Sequence, residues 1–427
     1  MQIQQITYND LNQIARARKQ RESQDLTDID EKVQSIVDDI KLNGEPAVLN
    51  YIKELDGAEV DSIIVSDEEI QAALETVDPN FIKLLEEAKA NIEKYHALQK
   101  EKSWYHHEAS GVWLGQQVTP IERVGIYVPG GKAVYPSTVL MNVVPAKVAG
   151  ANEIIVTTPV GADGKVNPLT IAASKLAGAT QILKVGGAHG IATLAYGIKH
   201  LKPVYKITGP GNAFVARAKK YVFGDVGIDM IAGPSEVCVV ADKTANPTLI
   251  AADLIAQAEH DEMASAILVT DSHQVATNVK DEVNRQMEER TRKHILQHSL
   301  FNQGAIYVVS DLQVGFDLVN ELAPEHLELL VRNPFEKLSS VRNAGAIFLG
   351  EYSPEPLGDY WAGPNHTLPT NGTAKFSSPL GVYDFMKKSS VIHYDQDALR
   401  EAANKIERFA DEEGLDGHGA SIRKRFE

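Results

Sequence analysis

A single cysteine, Cys238, among 427 residues excludes an intrachain disulfide and any metal cluster built from several thiolates. Its neighbours Val237, Val239 and Val240 are apolar, so a buried strand thiol is favoured over a reactive nucleophile. No uninterrupted apolar run approaches the roughly 18 residues of a membrane helix. The opening run MQIQQITYNDLNQIARARKQ also lacks the apolar core of a signal peptide. Secretion and membrane insertion are therefore not expected, and the expected compartment is the cytoplasm. Basic residues are in the minority, 42 against 58 acidic, which gives a formal net charge of -16. No long basic run offsets that repulsion, and the cluster Arg423, Lys424 and Arg425 reads as a solvated end, so nucleic acid is not an expected partner. Internal repeats and low-complexity tracts are missing as well. What remains is an ordinary globular composition, 43% hydrophobic and 23% charged, long enough for two or three domains.

Val33, Ile36, Val37 and Ile40 recur at helical spacing, and Gly44 follows as a C-terminal cap. Ser66 with Glu69 forms a capping box, and Asp78-Pro79 opens a further helix through Leu84, Leu85, Ala88, Ile92 and Leu98. The first hundred residues are accordingly expected to be mostly helical, and the texture changes from Val124. Beyond it, β-branched runs at Val124 to Val128, Ile154 to Thr158, Ile182 to Val185 and Val204 to Ile207 alternate with helical stretches such as Leu169 to Ala177 and Ile191 to Ile198. A second series follows at Val237 to Val240, Ala266 to Thr270, Ala305 to Val309 and Ala346 to Leu349. Continuous apolar strands alternating with helices indicate parallel sheets covered on both faces. The expected class is α/β, with two tandem Rossmann-like parallel-sheet units. A small helical segment over residues 1–23 precedes them, and a C-terminal helical tail over 379–427 carries a charged helix from Ala398 to Glu412. One α/β domain is expected over 24–126 and 233–378, the other over 127–232.

Polar, histidine-bearing segments stand out against this frame. Asn246 to Glu262 reads as a helix with Asn246 at the N-cap and Pro247 next, which puts Gln257 and His260 on one face near its end. Imidazole nitrogen suits zinc, whereas an amide oxygen is a weak ligand needing stronger partners; a histidine at a helix end also serves simply as a cap. Asp359, in SPEPLGDY, is expected in a Pro/Gly-rich loop past the carboxyl end of a strand, where α/β sheets gather ligand groups; an Asx-turn residue is the plainer reading. Glu325-His326, in APEHLEL, joins a group able to activate water to a proton acceptor, although a surface ion-pair loop has the same composition. Glu413 and His418, in EGLDGHGAS, add another carboxylate and imidazole.

Glycine turns at Pro129-Gly130-Gly131, Gly186-Gly187 and Gly209-Pro210-Gly211-Asn212 each fall between a predicted strand and a helix, where N–H groups face an anionic ligand. None fits G-x-G-x-x-G, because Phe214 stands where the third glycine belongs, and tight βα turns are the alternative.

Taken together, GIYVPGGKAVYPSTVLM, KITGPGNAFVARAK, AGPSEV, DLIAQAEHD, APEHLEL, SPEPLGDYWAGPNHTLPT and EGLDGHGAS closely resemble the histidinol dehydrogenase family over nearly the whole chain. The resemblance implies the last step of histidine biosynthesis: oxidation of L-histidinol to L-histidine in two NAD-dependent steps through L-histidinaldehyde. It implies one zinc ion per subunit, held by Gln257, His260, Asp359 and His418, the last coming from the other subunit of a domain-swapped homodimer with shared active sites. Glu325 is implied to activate water and His326 to act as general base. Ser235, Glu413 and the neighbourhood of His366 are implied to shape the substrate pocket, together with His326 and the zinc ligands. Tyr127, Asn212 and position 189 are implied to contact the dinucleotide; this chain has His189 where the family commonly has glutamine. The same resemblance assigns substrate and zinc to the first α/β domain, NAD to the second, and completion of the partner's site to the tail. The rival readings are a zinc hydrolase, with Glu325 as base and no need of NAD, and a non-enzymatic regulator that binds metal or nucleotide.

Overall fold

Residues 1–22, 26–130 and 134–427 are described by a computed structural model, and the chain divides into two units. The first comprises Met1–Gln99 and Glu122–Phe385, the second Lys100–Ile121 and Met386–Glu427. Gly131, part of one expected glycine turn, lies outside the described residues. In chain order the strands are β1 (Gln2–Gln5), β2 (Trp104–Ala109), β3 (Val112–Pro120), β4 (Arg123–Tyr127), β5 (Glu153–Thr157), β6 (Gln181–Leu183), β7 (Lys206–Thr208), β8 (Gly227–Ile228), β9 (Glu236–Ala241), β10 (Ser265–Thr270), β11 (Ala305–Val308), β12 (His326–Leu330), β13 (Ala346–Leu349) and β14 (Met386–Tyr394).

Two parallel sheets organise the first unit, in the strand orders β6-β5-β4-β7-β8 and β1-β11-β10-β9-β12-β13, as the α/β reading expects. The larger sheet shows why its strands read as continuous apolar runs. Val237, Val239 and Ala241 of β9 pack with Ile250, Leu254 and Ile255 of the Pro247–Ala258 helix, while Cys238 and Val240 pack with Leu327 and Leu329 on the opposite face. A strand buried on both faces keeps no solvated side to carry polar residues. Each fully buried valine or leucine contributes roughly 1.5–3 kcal/mol from burial alone. Among the helices, Thr27–Asn43 buries Val33, Ile36, Val37 and Ile40, the four residues of the expected stripe, and ends at Gly44. The Ser66 and Glu69 capping box is present, and Asp78 caps the helix Pro79–Ala97.

Four local expectations are corrected. The helical segment expected over residues 1–23 is present as the helix Leu11–Glu22, but β1 precedes it and pairs in parallel with β11; its sequence QIQQ is polar because it is an exposed edge strand. The helix expected from Asn246 to Glu262 ends at Ala258; His260 lies in the bend that follows, and the Asp261 carboxylate then accepts from Met263 N–H in a separate turn. Asp359 lies not in a loop but in the short helix Glu355–Tyr360, which starts at Pro354 and Pro356. Glu325-His326 opens a buried central strand, β12, which pairs with β9 and β13.

The second unit holds the antiparallel sheet β14-β3-β2 and the helices Gln396–Glu412 and Asp416–Arg423. Asp395 caps the first of these helices by accepting from Ala398 N–H. No helix of the described residues is long and apolar enough to cross a membrane.

Candidate active site

β12 supplies the acid–base pair. Glu325 and His326 are both buried, and both are held by the backbone of one residue of the neighbouring strand, Glu236. Glu236 N–H donates to Glu325 Oε2 at 2.8 Å, and the Glu236 carbonyl stands 3.0 Å from His326 Nδ1. A carbonyl only accepts, so the hydrogen is assigned to Nδ1, which leaves the Nε2 lone pair free to take a proton. The nearest approach of the carboxylate to the ring is 3.6 Å, between Glu325 Oε2 and Nδ1. Burial pushes the Glu325 carboxyl well above its ordinary range against the pull of the Glu236 N–H, and the charges of Glu236, Asp359 and Glu355 push the same way. Burial also lowers His326, keeping its imidazole neutral and basic, although the Asp359 charge opposes this.

Strand alternation puts His326 and Glu328, in register with Val237 and Val239, on the face covered by the Pro247–Ala258 helix. Beyond that helix's end, His260 joins Glu355 and Asp359 in a cluster whose ligand atoms all lie within 4.8 Å of one another. His260 Nε2 and Glu355 Oε1 are 3.9 Å apart. Asp359 is braced from behind by His366, whose Nδ1 is 3.1 Å from the Asp359 carbonyl and whose Nε2 is 3.2 Å from Thr138 Oγ1. Two carboxylates this close repel each other unless a proton or a cation stands between them. Without one, burial and the neighbouring Asp359 charge hold Glu355 up at about 9.

The donor set suits a dication. Gln257 is fully buried with neither Oε1 nor Nε2 hydrogen-bonded, and Glu355 Oε1 is equally without a partner. Leaving such an amide unpaired costs about 1–3 kcal/mol, and a cation at its oxygen would offset that. Imidazole, carboxylate and amide oxygen together make a borderline-to-hard ligand field, as zinc accepts. A cavity of about 470 Å³ opens beside the cluster, lined by His260, Asp359, Tyr360, Trp361, Tyr135 and Met141 among others. Of the four expected ligands, His260 and Asp359 meet in the cluster, Gln257 supplies the unpaired amide, and His418 lies in the second unit. There His418 and Glu413 are both exposed, on the helix Asp416–Arg423 and at the end of the helix before it. Ser235 precedes Glu236, and its carbonyl accepts from Ser265 N–H at 2.9 Å.

The smaller sheet brings the expected dinucleotide positions to the carboxyl ends of its strands. Tyr127 ends β4, and its hydroxyl accepts from Gly187 N–H at 3.1 Å; burial pushes that phenol up to about 12. Gly186 caps the helix Gly187–Tyr196, whose third residue is His189. His189 is buried, with Nε2 3.1 Å from Asp56 Oδ2 and Nδ1 without a partner. Asn212 caps the helix Ala213–Val222, accepting from Val215 N–H. Gly209 has φ +117, and a Cβ there would overlap the Tyr127 carbonyl, so only glycine lets this turn lie against β4. Helix N-termini at the ends of parallel strands fit the pyrophosphate of a dinucleotide.

Sequence reasoning missed Glu355, Glu328 and Asp253. Glu355 and Asp359 are four residues apart, a spacing that shares one helix face, and Pro354-Glu355-Pro356 was the available sign of a helix start.

A buried acid and base beside a cation cluster, with nucleotide-type turns on the adjoining sheet, are the equipment for taking a proton as a hydride leaves; the class is an α/β oxidoreductase. The family model for histidinol dehydrogenase matches residues 19–426. Histidinol dehydrogenase of Clostridium acetobutylicum is 52% identical over 96% of this chain and 95% of its own, and that of Bacillus subtilis 52% identical over 92% of each. The crystal structure of histidinol dehydrogenase from Elizabethkingia anophelis superposes with a TM-score of 0.93 at 35% identity, over 100% of this chain and 98% of the other. The chain belongs to the histidinol dehydrogenase family, and is thus an oxidoreductase of histidine biosynthesis; the hydrolase and regulator readings fall away.

Proposed function

We propose that this chain oxidises L-histidinol to L-histidine with two molecules of NAD, in the cytoplasm, as a homodimer with shared active sites. The observation that carries the reading is the buried pair of Glu325 and His326, held by the backbone N–H and carbonyl of Glu236 within the same unit as the cation cluster. In the first step His326 Nε2 takes the hydroxyl proton as hydride leaves the carbinol carbon for the nicotinamide, giving the aldehyde. In the second, once His326 has released its proton to solvent, Glu325 in its carboxylate form takes a proton from water as the oxygen adds to the aldehyde carbon, giving the ionised hydrate. His326 then accepts the hydrate's hydroxyl proton as the second hydride departs, leaving the carboxylate product. Zinc, held by Gln257, His260, Asp359 and His418 of the partner subunit, would supply a Lewis-acidic anchor for the substrate's imidazole and amine. Ser235 and Glu413 would complete the substrate pocket. Tyr127, His189 and Asn212 would border the dinucleotide.

The decisive assay follows histidinol-dependent NADH formation. Two NADH are expected per histidinol consumed, with turnover lost on chelation and restored by zinc. Absence of NADH with histidinol, or full turnover after verified metal removal, would overturn the reading.

Enzymatic aldehyde oxidation often runs through a cysteine thiolate, but Cys238 is fully buried in β9 and burial pushes its thiol up to about 12. Cys238→Ala is therefore expected to keep turnover within about twofold of wild type and to cost about 1 kcal/mol of stability, read from steady-state rates and thermal melts. A collapse of turnover with the melt unchanged would make the thiol a reactant.

A further inference from the structure

Three carboxyl groups, Asp253, Glu328 and Glu355, stand together inside the first unit, and no cation appears among the groups that act on them most strongly. The proposed chemistry uses none of them directly. Glu328 is buried in the middle of β12, on the same face as His326. Its Oε1 accepts from Glu355 N–H at 2.9 Å. That N–H begins the helix Glu355–Tyr360, whose N-cap is Pro354 and has no side-chain acceptor to offer; the next residue, Pro356, has no N–H at all. β12 therefore supplies the cap that the helix's own sequence lacks.

The Glu328 carboxyl also stands close enough to that of Asp253, on the Pro247–Ala258 helix one turn before Gln257, for each to act on the other. One side chain thus joins the two helices that carry the cation cluster and the unpaired amide. Nothing in either helix alone fixes the distance between Gln257 and Asp359.

We propose that Glu328 is a positioning residue for the cation site, tying the first peptide of the Asp359 helix to the Gln257 helix through Asp253. The proposal rests on the reading of Gln257, His260 and Asp359 as metal ligands. Glutamine at 328 keeps an acceptor for Glu355 N–H and offers an amide donor to Asp253; leucine fills the space and keeps neither contact.

The test measures zinc affinity of the metal-stripped full-length protein by competition with a chromophoric chelator, alongside thermal melts of the stripped forms. Glu328→Leu is expected to bind zinc about 10–100-fold more weakly while still melting cooperatively, and Glu328→Gln to stay within about threefold of wild type. Asp253→Ala, which leaves β12 untouched, is expected to lose about 3–10-fold and serves where the leucine variant does not fold. Wild-type affinity in the leucine and alanine variants would overturn the proposal, as would equal losses for leucine and glutamine. Wild-type protein that binds no zinc would instead sink the metal reading on which the proposal stands.

Discussion

Glutamine at position 325 is expected to slow oxidation of histidinaldehyde by about 10²–10³-fold while slowing oxidation of histidinol by less than about tenfold. The asymmetry follows from where water enters: the alcohol step needs only a base for one hydroxyl proton, whereas the aldehyde must be hydrated before a second hydride can leave. His326→Ala is expected to slow both steps by about 10²–10⁴-fold, since the same Nε2 serves each. The two variants also probe different physics. Glu325 is held high by burial, so its working carboxylate becomes more available as pH rises; His326 is held low by burial, so its basic form persists as pH falls. Single-turnover measurements with alcohol and with aldehyde separate the steps. Equal loss in both for Glu325→Gln would contradict the division of labour, and near-normal turnover in His326→Ala would remove the base.

The second large effect concerns the two units. His260→Ala and His418→Ala subunits are each expected to be inactive alone. If His418 completes the partner's site, random mixing makes half the dimers mixed, each with one intact site of two, and about a quarter of wild-type activity returns. Subunit exchange is verified by mass tags before rates are compared. No recovery after confirmed exchange would mean that each site is built within one chain.

Strands such as β5, β9 and β10 were legible because both of their faces are apolar, and the Thr27–Asn43 helix because its stripe repeats at helical spacing. β12 was not, although its pattern HLELL alternates, because alternation suggests a solvated face and here both faces are buried, the polar one against Asp253 and Glu355. β2 and β3 hid for another reason. β3 pairs with β14 across more than two hundred residues of sequence, and β2 joins that sheet only through β3, with every residue exposed and no apolar face to mark it as a strand. At the site, motif resemblance located Gln257, His260, Asp359, Glu325 and His326, but it could not reveal that Glu355 joins the cluster. That depends on six residues turning into a helix after Pro354.

The backbone of Glu236 has a consequence of its own. A side chain that orients a catalytic group must first give up rotamer freedom, about 0.5–1.5 kcal/mol for each one immobilised. The backbone of Glu236, in a strand paired on both sides, has none left to give: its N–H, on the peptide shared with Ser235, meets Glu325, and its carbonyl, on the peptide shared with Val237, meets His326. Water activation and proton abstraction are therefore kept in alignment by main chain alone, and the entropy of aligning them was already spent when the sheet formed.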